Sequence, residues 1–77
     1  MDDVLTFFLR TPLFSTGATD PRIPPRATIV RGVIASSEHG LVWVKAKAFL
    51  DDAGKVLAER DVTLVLPMSK IDHAIAG

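Results

Sequence analysis

The side chains able to do chemistry in this chain are few, and the two most reactive sit in adjacent pairs. His39 follows Glu38, and His73 follows Asp72. Imidazole titrates near neutrality, so a histidine beside a carboxylate has the makings of a general base. Neither pair has a nucleophile or a third partner placed by spacing, so both are expected as solvated turn and tail residues. Ser15, Thr16, Ser36 and Ser37 have the context of hydroxyls that shape turns. No glycine-rich phosphate loop and no metal-ligand spacing occurs, and two histidines without cysteine argue against a structural zinc site. No catalytic residue, metal ligand or cofactor is therefore assigned, ligand-binding residues stay unknown, and the reading leans away from a self-contained enzyme.

Charge narrows the partners. Arg10, Arg22, Arg26 and Arg31 bias the N-terminal half towards phosphate groups, including those of coenzyme A or RNA. Nine basic and nine acidic side chains nevertheless cancel over the chain. Aromatic residues suited to stacking on bases are lacking apart from Trp43. Neither a nucleic acid nor a membrane surface is expected as a partner. The start, Met1-Asp2-Asp3, is acidic where a secretory signal is basic, and the apolar run over residues 4–9 is too short to span a bilayer. A cytoplasmic, bacterial-type protein is the expectation.

The elements that must carry these residues are clearest between positions 41 and 66. Residues 41–50 and 56–66 alternate as strands around Asp51-Asp52-Ala53-Gly54-Lys55, where Gly54 can take a positive φ. Pairing Leu50 with Val56 sets Lys47 opposite Glu59, Lys45 opposite Asp61, Trp43 opposite Thr63 and Leu41 opposite Val65. The reverse face then carries Val42, Val44, Ala46, Ala48 and Leu50 against Val56, Ala58, Val62, Leu64 and Leu66, with Arg60 intruding. Each opposite-charge pair contributes only roughly 0.2–1 kcal/mol, but a slip of one residue loses both and turns the apolar face to water.

A strand over residues 27–35 extends the meander, with Thr28, Val30, Gly32 and Ile34 joining the apolar face through the turn at residues 36–40. This register sets Arg31 beside Lys45. Gly32 weakens its strand and marks close approach of another backbone, such as a helix crossing the sheet. Upstream, Met1, Val4, Leu5, Phe8 and Leu9 lie at helical spacing, so an amphipathic helix is expected over residues 1–10, with a strand through residues 6–9 as the alternative. Pro12, Gly17, Pro21, Pro24 and Pro25 make residues 11–26 a loop, pinned to the body by Phe14 and Ile23. Beyond Pro67, Ser69 and Asp72 resemble a weak capping box, so residues 68–77 read as a tail or short helix.

The run "GLVWVKAKAFLDDAGKVLAERDVTLVLP", preceded by "PPRATIVRGVIASSEH", resembles the terminal strands of hotdog-fold proteins, particularly the MaoC-like hydratase and thioesterase-type branches. It covers residues 24–67. The resemblance implies a partly buried sheet, an oligomer and an acyl-CoA-type ligand. It carries over no catalytic residue, because Asp20-Pro21-Arg22-Ile23-Pro24 echoes the hydratase Asp and Pro but has no His.

Size completes the expectation. A single domain of 77 residues rarely gains more than about 3–5 kcal/mol from its own core, and no disulfide is available. With 48% hydrophobic residues, the surplus apolar surface reads as an interface. On the mixed face, Trp43 with Leu41, Phe49, Leu57 and Val65 suits packing against a helix or second subunit. The expected architecture is α+β: a short N-terminal helix on a three-stranded antiparallel meander, half-hotdog-like and completed by oligomerisation to a dimer or tetramer. Three functions fit it: a binding or accessory module, a hotdog-like acyl-CoA hydratase or thioesterase with its site built between subunits from Asp20, Arg22 or His39, and a protein that binds partners through a free strand edge.

Overall fold

The computed structural model describes residues 4–11, 23, 24 and 26–76, and over them the chain is all-β. Five strands, β1 (Leu5–Leu9), β2 (Ile29–Glu38), β3 (Leu41–Leu50), β4 (Val56–Pro67) and β5 (Ile71–Ala76), form one antiparallel sheet in the order β4-β3-β2-β1-β5. A 3-10 turn at Met68–Lys70 joins β4 to β5. Those two strands are the outermost pair in the order, yet only three residues connect them. Laid flat, their edges would stand about 19 Å apart at sheet spacing, whereas three residues of 3-10 helix advance about 6 Å. The sheet must therefore curl until its two edges meet at one end. Backbone bonds fasten that end: Met68 N–H donates to Gly40 O at 2.8 Å, and Arg10 N–H donates to Lys70 O at 2.8 Å.

The expected N-terminal helix is absent, and the strand alternative is what forms. Phe7 and Leu9 are buried while Thr6 and Phe8 are half-buried, which is the period of two that a strand imposes. Threonine and two phenylalanines suit a pleated surface, and a strand between β2 and β5 gains two ladders where a short helix would have gained one apolar contact. Residues 1–3 of that expected helix lie outside the described residues. Where a tail or short helix was expected over residues 68–77, the described residues instead form the 3-10 turn and β5. The α+β half-hotdog expectation is thus corrected to an all-β sheet, and its three-stranded meander is the β2-β3-β4 part.

Register differs from the charge-matched ladder as well. Leu50 does pair with Val56, but Lys45 pairs with Thr63, Trp43 with Val65 and Leu41 with Pro67. Two irregularities cause the drift: Lys47 alone faces Arg60 and Asp61, and Leu57 is extra between Ala58 and Val56. The accumulated offset is two residues, which preserves which face each later side chain meets. Lys47–Glu59 and Lys45–Asp61 are consequently not cross-strand partners, and Arg60 is exposed at the bulge instead of intruding on the core. Arg31 pairs with Ala48, not beside Lys45.

Bulging also moves Phe49. It is fully buried, in a row with Phe7, Val30 and Ala58 across four strands, so it leaves the mixed face on which alternation had placed it. Leu57 is half-buried against the same core. Ile23 and Ala27 pack into that core from the connection between β1 and β2, as the pinned-loop reading required of Ile23; Phe14 lies outside the described residues. Gly32 does mark a close backbone, but the neighbour is β3. An added Cβ would stand 2.8 Å from Ala46 Cα.

Candidate functional site

Two consecutive strand residues normally point to opposite faces, yet Asp72 and His73 are hydrogen-bonded to each other. The β1–β5 register explains it: Phe8 pairs with His73 and Leu9 with Ile71, leaving Asp72 as an extra, bulged residue. His73 Nδ1 lies 2.8 Å from Asp72 Oδ2. An Nδ1–H donating to that carboxylate leaves Nε2 with its lone pair as the ring's acceptor. Phe8 backs the ring, stacked at 4.5 Å between centroids with 9° between planes.

Arg10 and Lys70 frame this cluster with positive charge. Arg10 Nη1 lies 3.7 Å from Asp72 Oδ1, and Lys70 Nζ donates to Thr11 Oγ1 at 2.9 Å. The Arg10 and Asp72 side chains are both more than half exposed, so their attraction is weak. The arrangement can orient an imidazole and present Nε2 to solvent. Among the described residues no serine, threonine or cysteine is bonded to that nitrogen, and no group of three or more His, Cys, Asp or Glu could hold a metal ion.

Sequence had singled out His73 and Asp72 as a pair but missed Phe8 and Arg10. Their link to β5 exists only because residues 5–9 form a strand, and helical spacing concealed that. His39 has a different role. With φ of 52° followed by Gly40 at 76°, it is the first central residue of a two-residue turn between Glu38 and Leu41, tighter than the turn expected at residues 36–40. Positive φ at both positions is the type I′ geometry whose twist suits long hairpins. Glu38 and His39 are exposed there. Asp20 and Arg22 lie outside the described residues.

A second feature is a surface groove of about 300 Å³ lined by Lys45, Ala46, Lys47, Asp61, Val62 and Thr63. It sits where the bulge pulls β3 and β4 out of step. Around it the outer face is organised in rows: Arg31-Ala48-Glu59, Val33-Lys45-Thr63, Ser36-Trp43-Val65 and Glu38-Leu41-Pro67. Trp43 is half-buried, whereas Val65 is 48% exposed. Leu41, Trp43 and Val65 gather at one end of the face beside the exposed Ser36 and Glu38, and Arg31 and Glu59 mark the other end.

No family model, curated protein or solved structure matches this chain. The region resembling hotdog strands folds as β2, β3 and β4, and that family's long helix has no counterpart among the described residues. Among the described residues no helix is long and apolar enough to cross a membrane.

Proposed function

We propose that the chain is a small oligomeric binding or accessory module without self-contained catalytic machinery. The observation that carries this reading is the outer face of β2-β3-β4, where Trp43, Val65 and Leu41 form an apolar end beside a charged groove. Exposed Val65 beside half-buried Trp43 and Leu41, with a polar border, gives a partly open apolar cluster with an aromatic anchor, which suits an interaction surface. Size-exclusion chromatography with light scattering tests the reading, with a mass of two or more chains expected. A folded monomer that captures no ligand would overturn it.

The acyl-thioester reading has one structural observation in its favour, the carboxylate-oriented His73. It predicts stabilisation by acyl-CoA compounds in a thermal-shift screen, together with hydration or hydrolysis that disappears in His73→Ala. Absence of both effects removes it. The strand-edge reading is less favoured by the edges themselves. β4 carries bulges and the charged run Glu59-Arg60-Asp61, while β5 carries a bulge at Asp72, and both devices discourage strand addition.

A further inference from the structure

We propose that the outer face of β2-β3-β4 is a two-fold interface with a second copy of this chain, an inference that rests on the oligomeric reading and assigns its surface. The argument is charge complementarity across β3. Arg31 lies on the β2 side of Ala48 and Glu59 on its β4 side, in one row. Both are exposed.

A two-fold axis running along β3, midway between two sheets packed face to face, places β2 of one copy over β4 of the other at the same height. Arg31 of each copy then meets Glu59 of the second copy, and the contact occurs twice. The Val33 row brings Val33 over Thr63, and the next row brings Ser36 over Val65. On the axis itself, Trp43 stacks towards its own counterpart at the apolar end, covering the exposed Val65 beside it. Lys45 also approaches its counterpart. Asp61, which lines the same groove as Lys45 and Lys47, supplies the opposing charge. Rotation in the other sense, with the axis perpendicular to β3, would set Arg31 over Glu38 of the other copy but leave Glu59 over Pro67 and Lys45 over Trp43. The axis along β3 is the arrangement that gives both Arg31 and Glu59 an opposite charge and brings the two Trp43 side chains together.

Trp43 is the only tryptophan, so its emission reports this face directly. The experiment compares the full chain with R31E, E59R and the R31E/E59R double variant by light scattering and by Trp43 fluorescence over a dilution series, with far-ultraviolet circular dichroism confirming the fold. The wild type is expected as a dimer whose emission shifts to the red on dilution. Each single reversal should weaken the dimer at least roughly tenfold, because two-fold symmetry applies every change twice, and the double variant should recover most of the loss. A wild type that is monomeric throughout, or that assembles only with a different protein, overturns this proposal and the homo-oligomeric reading together. A dimer indifferent to both reversals, with Trp43 emission unchanged by dilution, overturns the assigned face and leaves the oligomeric reading standing.

Discussion

At Gly32 the absent side chain is the structural fact: β3 passes so close that a Cβ would stand 2.8 Å from Ala46 Cα and 3.0 Å from Lys45 C. The contact is with backbone, which cannot swing aside as a long side chain can. Gly32→Ala is accordingly expected to cost about 1–3 kcal/mol, read as a lower urea midpoint at unchanged slope. Thr28 argues in the other direction. Its Oγ1 is buried without a hydrogen-bond partner among the described residues, so Thr28→Val removes an uncompensated polar atom and should raise stability by about 1 kcal/mol in the same titration. Asp51 does more than begin a loop. Its Oδ1 accepts from Ala53 N–H at 3.0 Å and Lys55 N–H at 2.9 Å, and Gly54, at φ of 83°, closes the turn by donating to Asp51 O. Asp51→Ala should cost about 1 kcal/mol, while Asp52→Ala, with no such role among the bonds described, should change the melting temperature little. The loop glycine was legible in sequence because only φ chemistry is local; the partners of Asp51 required knowing where its loop turned.

Among the elements, β3 and β4 were readable and β1 and β5 were not. Alternation at Val42, Val44 and Ala46 against Val62, Leu64 and Leu66 survives in the structure, since these residues are the buried ones. Charge pairing misled the register because it assumed unbroken strands. Bulges at Lys47 and Leu57 release the ladder, and burial of Phe49 outweighs two exposed ion pairs of less than about 1 kcal/mol each. β1 and β5 fail for a different reason. Five and six residues are too few for their period to be distinguished from a helix, and the evidence for either lies in the other, more than sixty positions away. Asp72 and His73 inherit that limit, since their alignment comes from the bulge and not from their spacing. This separation also orders folding. The local β2-β3-β4 hairpins should form first and β5 should dock last, so Ile71→Ala is expected to speed unfolding several-fold while hardly altering the refolding rate in stopped-flow chevrons.

For the molecule as a whole, topology limits what composition had suggested. A high apolar fraction was read as surplus surface, and the curled sheet does absorb much of it: Phe7, Val30, Val44 and Phe49 are at most 2% exposed. Val56, Val65, Met68 and Ile75 remain about half exposed, so the surplus is reduced and localised without being abolished. The β1–β5 seam has a further, mechanical meaning. Leu5 is the partner of Ala76, and the two strands run in opposite directions from that point. Tension applied at these two residues would load the inter-strand bonds one after another, like the teeth of an opening zip, instead of shearing them together. The domain should therefore yield at low force when pulled through Leu5 and Ala76, and resist far better when gripped across Leu41 and Leu50.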